Sequence, residues 1–488
     1  MRFNASRVRI FWISLTVLGV VTTVTAIVAP YFNVNIYQSD PMLAWPDNAA
    51  VEVIPLYSDE ELATRLHQRI QFGAAPDAGT RLMMAGYIKT GREYMVTANN
   101  AKKNGDDATY QEYSTKAHTK FLEAALVASQ GPKFADTILH WASQLLEPSS
   151  NIVYNDFTVS IAAWALYGNT TATDSDGLRR FDARKILFTS LLPKGSIPGF
   201  SLPPTSHGNN NHYEALGQYR LSTSSDLRGI VNFHSYHSVY TTSPVPPDQI
   251  AGVATHRAFA KLFMNRGTNR KMFERIFALF LCAPITDVRN KAYSDHRVPP
   301  DVTRCPGGSN VTYEQECRSC HAPMDAATGF SYALDWQRPN DLALANEEQN
   351  IVHTSSLIAP KIVANDRNTP DTCPNFNIPR PIDNSWEILF VPPNISANFF
   401  NWNPNVHWNP QLNRPAGLGP KSFMETVAHA GRYPYCLAKR ITSFMCNLNP
   451  ENIGDTLIHI VATDLVNNNY DLGRTFLVAA ALPLCLGR

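Results

Sequence analysis

Cys317-Arg318-Ser319-Cys320-His321 decides how this chain is read. Two thiols stand at i and i+3, and an imidazole stands at i+4. On a helix all three fall on one face. At this spacing two cysteines can add to the vinyl groups of a porphyrin while the histidine reaches its iron. The run has its own helix start. Thr312 and Gln315 stand as a capping box, so a short helix carrying Cys317, Cys320 and His321 is expected. Chance supplies about 0.004 such pentapeptides in a chain of 488 residues with 8 Cys and 14 His, so composition alone does not produce it.

Two plainer readings compete. A redox dithiol of the thioredoxin kind wants a βαβ context, and the flanking pattern has none. A zinc site wants a second Cys/His pair at similar spacing, and the nearest cysteines are lone. One covalent haem c is therefore the expected cofactor, with Cys317 and Cys320 as thioether attachments and His321 as the proximal iron ligand.

Charge excludes some partners. Net charge is +1 and only 17% of residues are charged. No basic face suggests nucleic acid. The N-terminus points to a membrane instead. Arg2, Arg7 and Arg9 precede Ile10 to Ala29, a run without charge. At 1.5 Å rise per residue that run spans roughly 30 Å of hydrocarbon. Residues 1–9 then form a cytoplasmic tail, 10–29 a single-pass inner-membrane anchor and 30–57 a tether, with the bulk in a bacterial periplasm. Trp12 and Tyr31 sit where interfacial aromatics belong. Cleavage of a signal peptide after Val24-Thr25-Ala26 is the alternative. Thioether attachment of haem takes place outside the cytoplasmic membrane in bacteria, so compartment and motif agree. In that oxidising space the six other cysteines can form up to three disulfides in 15 pairings.

The remainder is expected to be mainly α: helical domains with long irregular loops around a cytochrome c-like haem module. A helical domain covers 58–150. Ser58-Asp-Glu-Glu61 opens its first helix, with Leu62, Leu66 and Ile70 on one face. A second helical region covers about 78–100, and Asn99 to Gln111 reads as a loop. Glu112 to Ser129 and a stripe of Phe134, Ile138, Trp141 and Leu145 follow. A helix-and-loop domain covers 151–300, with helices at Asp156–Tyr167, Gln249–Phe263 and Arg270–Cys282. Phe273, Ile276, Phe277 and Phe280 would suit a porphyrin face or a plain core. The loop histidines His207, His212, His234 and His237 read as surface or hydrogen-bonding residues more than as a metal site. The haem module covers 301–345 and a long irregular insertion 346–420. The C-terminal helical domain covers 421–488, opening on a capping box at Ser422–Glu425. If its helices at 433–446, 455–468 and 471–482 run up-down-up, the C-terminal ends of the first and third meet, so Cys446 and Cys485 are expected to pair.

Several stretches together resemble the planctomycete-type c-type cytochromes, large exported monohaem proteins built from consecutive domains of unknown function. Cys317-Arg-Ser-Cys-His-Ala-Pro-Met-Asp325 with Gly329-Phe330 and Ala333-Leu334 resembles their haem signature. Asp156 to Gly168, Gly252-Val-Ala-Thr-His256 with Leu281-Cys282, and Phe423 to Cys485 with Arg432 and Cys436-Leu-Ala-Lys-Arg440 resemble flanking segments. The likeness covers roughly residues 58–485. It departs after Asp325, where Ala326 replaces the usual proline and one extra residue precedes Gly329. The resemblance implies a mostly helical monohaem protein outside the membrane, without a defined reaction.

The sixth iron ligand decides the chemistry. Met324 is too near His321 to cross the ring and reads as packing. Distal candidates are His256, Met264, Met272, His353, His407 and Met424, and His256 is preferred for its place in a family-like segment. A six-coordinate iron would carry single electrons, for a redox partner protein or inside a larger membrane complex. An open distal site would make a haem enzyme or ligand sensor, and a haem that mainly stabilises the fold would make a scaffold subunit. No nucleotide fingerprint, nucleophile elbow or zincin motif appears.

Overall fold

The computed structural model describes residues 57–146, 156–167, 178, 181–189, 196–197, 200–201, 249, 251–263, 270–294, 313–331, 334–337, 350–353, 384–390 and 399–486. Over these the chain is mainly helical. Ser58 accepts the Glu61 N–H at 3.2 Å and starts α1 (Asp59–Ile70), whose Leu62, Leu66 and Ile70 are buried. Asp77 caps α2 (Ala78–Lys103) and Asp106 caps α3 (Asp107–Ser129), each carboxylate taking a first-turn N–H. α4 (Phe134–Leu145) and α5 (Asp156–Tyr167) follow. The loop expected over 99–111 shrinks to 104–106. Buried Ala98 and Ala101 extend the core stripe of α2, and Asp106 starts α3 early by accepting the Thr109 N–H at 3.0 Å.

Further along, packing overrides the periodic pattern. Gln249–Phe263 was expected as one helix. A 3₁₀ turn at Gly252–Thr255 and α6 (Arg257–Phe263) stand there instead, with His256 extended between them at ψ 148°. Gly252 has φ +49°, and a Cβ on it would lie 2.0 Å from the Ile186 carbonyl oxygen. Only glycine permits that approach. α7 (Arg270–Phe280) follows, and Cys282 turns left-handed at φ +48°.

Strands occur where irregular chain was expected. β1 (Ser196–Ile197) pairs with β2 (Phe200–Ser201), and β3 (Leu334–Gln337) with β4 (Asn350–His353), both antiparallel. β5 (Ser385–Glu387), β6 (Trp408–Asn409) and β7 (Arg414–Leu418) form an antiparallel sheet in the order β5-β7-β6. Strands of two to five residues are too short to show a period-two signal.

α8 (Arg318–Thr328) lies between these parts. The capping box expected at Ser422 is not used. α9 (Gly419–Ala428) begins earlier, and the Ser422 hydroxyl donates to the Leu418 carbonyl at 2.6 Å while accepting the Trp386 indole N–H at 2.9 Å. α10 (Arg432–Cys446), α11 (Asp455–Asn467) and α12 (Leu472–Ala480) pack on one another. Cys446 is bonded to Cys485 with Cα atoms 4.5 Å apart, as the meeting of helix ends requires. A second disulfide joins Cys282 to Cys436 across 5.3 Å between Cα atoms.

The described parts of the two segments, 58–146 and 421–486, share one core. α12 packs against α1, α3 and α5, and Phe476 meets the edge of Trp141 with ring centroids 5.1 Å apart. Among the described residues no helix is long and apolar enough to cross a membrane. The apolar run 10–29, the histidines 207–237, Met264, Cys305, Cys373 and most of the 346–420 insertion lie outside the described residues.

Candidate functional site

The site is built on α8. A π-helical turn, Tyr313–Cys317, leads into it. Such widened turns are rare and recur at functional sites. Thr312, half of the expected capping box, lies outside the described residues. Cys317, Cys320 and His321 are all half-buried at the start of the helix, and both thiols are free. From Ala322 to Ser331 every residue is buried, Met324 among them.

The buried half holds the exposed half in place. Pro323 sits inside α8 and has no N–H, so the Ser319 carbonyl four residues earlier loses its helical donor. The Asn290 backbone N–H replaces it at 3.2 Å. The same turn, 289–293, offers its Tyr293 carbonyl to the Arg318 guanidinium at 3.4 Å. The Tyr293 phenol donates to the Val288 carbonyl at 3.2 Å, and burial pushes it up to about 12, so it stays neutral.

Asp325 makes the second tie. It is 2% exposed, and its two oxygens take Nε and Nη2 of Arg270 at 2.5 and 2.9 Å. This is the bidentate geometry a guanidinium suits. The third tie is steric. A Cβ on Gly329 would lie 1.9 Å from the Ser385 carbonyl oxygen, so β5 presses directly on the end of α8. Phe330 then stacks on Phe423 of α9 with centroids 4.1 Å apart.

α7, which brings Arg270, is held at its other end as well. Its last carbonyls have no helical donors. Arg440 supplies them to Ala278 at 2.5 Å and Leu279 at 2.9 Å, and Arg432 to Leu281 at 3.3 Å. Arg432, Cys436 and Arg440 are spaced by four on α10, so one helix face carries both arginines and the disulfide to Cys282. Burial, with Arg275 nearby, lowers the Arg440 guanidinium to about 10, and it remains charged at neutral pH. The aromatic face of α7 is plain core: Phe273 and Phe277 pack with Phe390 and Phe423.

The distal candidates are scattered. His256 is 1% exposed in a turn that packs on residues 183–187 and α6, whereas α8 packs on α7 and β5. Met272 on α7 and Met424 on α9 are fully buried. His353 lies on β4. His407, left-handed at φ +47°, is 2.6 Å from a Glu425 oxygen through Nε2.

The donor set suits a covalently attached haem. Two free thiols and an imidazole share one half-buried helix start, while the other four described cysteines are cross-linked. Among the described residues no three His, Cys, Asp or Glu side chains converge as a metal site. Sequence reading missed Arg270, Asn290 and the positioning role of Asp325. One signal was present: a proline inside the helix marks a carbonyl four residues earlier that needs an outside donor. No protein-family model, curated protein or solved structure matches the chain. The likeness to planctomycete-type cytochromes therefore rests on its motif residues alone.

Proposed function

We propose that this chain is a monohaem c-type cytochrome that passes single electrons. One observation carries the reading: Cys317 and Cys320 stay free beside His321 on a half-buried turn, in a fold that cross-links its other described cysteines. Cys317 and Cys320 hold the porphyrin by thioethers, and His321 ligates the iron. The bound group supplies a one-electron Fe(III)/Fe(II) couple. The protein supplies a rigid mount, through Asn290, Arg270 and β5. The chemistry of the motif and the likeness of residues 58–485 to planctomycete-type cytochromes support the same assignment.

The charge pattern of residues 1–29 supports a single-pass anchor in a bacterial inner membrane, with the remainder in the periplasm. The electron partner is a redox protein or a larger membrane complex in which this chain is a subunit. The test is a reduced-minus-oxidised absorption spectrum of the full-length protein with and without carbon monoxide. An electron carrier with six ligated positions shows a haem c band that carbon monoxide leaves unchanged. A carbon monoxide shift together with peroxide turnover replaces the carrier by a haem enzyme or ligand sensor. Absence of any haem band removes the assignment.

A further inference from the structure

Asp325 stands one helical turn beyond His321. At i and i+4 on one helix the two side chains are neighbours, about 5–6 Å apart at Cβ. His321 is half-buried and Asp325 is almost completely buried. A buried carboxylate is costly without a partner, and here both of its oxygens are taken by Arg270. Arg270 is the first residue of α7, whose far end is fixed to α10 by two arginines and a disulfide. The guanidinium is thus delivered by a strut anchored at both ends.

Stability alone does not explain the pair. A buried ion pair commonly contributes no more than apolar residues of the same volume. Its position explains it better. A charge of either sign one turn from an iron ligand shifts the balance between Fe(III) and Fe(II), because the two states differ by one charge. A paired carboxylate and guanidinium nearly cancel.

We infer that Asp325 and Arg270 form a charge-balanced positioning pair behind His321, in which each residue cancels the shift that the other alone would impose on the reduction potential of the haem iron. The inference rests on the haem reading proposed above. Both residues act through His321 and need not touch the cofactor.

The experiment is a spectroelectrochemical titration of the haem-loaded, full-length protein. Arg270→Gln leaves a buried negative charge, stabilises Fe(III), and lowers the reduction equilibrium constant about tenfold, which is about 59 mV for one electron. Asp325→Asn leaves a positive charge and raises it by a similar factor. The double variant returns close to the parent. Arg270→Lys keeps the charge and stays within about threefold of the parent, so it reads the same claim if Arg270→Gln does not fold. A merely structural pair would lower thermal stability in both single variants without opposite shifts in potential. Potentials that do not move, or move in the same direction in both, overturn the inference and leave the haem reading intact. A parent protein without covalent haem overturns both.

Discussion

Two regions of the molecule are held together in different ways. The helical scaffold, α1–α5 with α10–α12, is organised by repeated apolar stripes and by caps at the helix starts. The site region, α7 and α8 with β5 and the turn 289–293, is organised by single contacts, each made once. They include the Asn290 N–H on the Ser319 carbonyl, the Arg270 fork on Asp325, and the Ser385 carbonyl against Gly329. The difference shows what the turn bearing Cys317, Cys320 and His321 requires. Cys317, Cys320 and His321 are only half-buried, and the turns that follow them hold them in position. The cysteines divide in the same way. Those of the disulfides tie the scaffold to itself and to the end of α7, while those of the site stay free.

This contrast can be broken at several points. Removing the disulfides has the largest effect. The bridge between Cys282 and Cys436 closes a separation of 154 residues, and the chain-entropy model puts its stabilisation at about 5 kcal/mol. The bridge between Cys446 and Cys485 closes 39 residues, for about 4 kcal/mol. Urea unfolding of the paired alanine variants measures both. In protein produced without haem, Cys317→Ala with Cys320→Ala costs less than about 1 kcal/mol, because no cross-link is lost. A loss equal to that of the disulfide variants would mean that the two thiols are not a separate class.

The scaffold also carries a pH dependence that does not involve the turn bearing Cys317 and Cys320. His118 is buried in α3, and burial lowers its pKa from 6.5 to about 3. The unfolded chain takes up that proton near pH 6.5 and the folded chain near pH 3, so this contribution is complete above pH 6.5 and lost as the pH falls from there towards 3. The slope is about 1.4 kcal/mol per pH unit within that window. Urea midpoints between pH 7 and pH 4 should follow it, and His118→Gln should flatten it.

In the site region the expected effects are smaller. Gly329→Ala drives a methyl into the Ser385 carbonyl and costs about 3 kcal/mol, read by thermal unfolding. Pro323→Ala has the smallest effect. A proline-to-alanine change inside an ordinary helix gains about 3 kcal/mol. Here the gain stays below about 1 kcal/mol, because Asn290 already serves the Ser319 carbonyl. A full gain would show that the contact with Asn290 contributes nothing.

The scaffold was the legible part. Ser58, the 3.6-residue stripes and the pairing of Cys446 with Cys485 follow from local pattern and from helix ends meeting. The placement of Cys317, Cys320 and His321 at the start of one helix was legible because their spacing is helical. The mount was not. Arg270 lies 55 residues from Asp325, and Arg440 lies 162 from Ala278, so no local pattern links either pair. The break at Gly252 depends on the Ile186 carbonyl far away in the chain, and strands as short as β5 to β7 have no period to read. Single long-range contacts leave no repeat in a sequence, whereas stripes and motifs do.

The central claim is covalent haem on the free cysteine pair. The most direct measurement is the haem content of the full-length protein after acid-organic extraction, read by absorption for the parent and for Cys317→Ser with Cys320→Ser. One extraction-resistant haem per parent chain and none in the double variant is the expected result. A parent chain that yields all its haem to the solvent, or carries none, contradicts it.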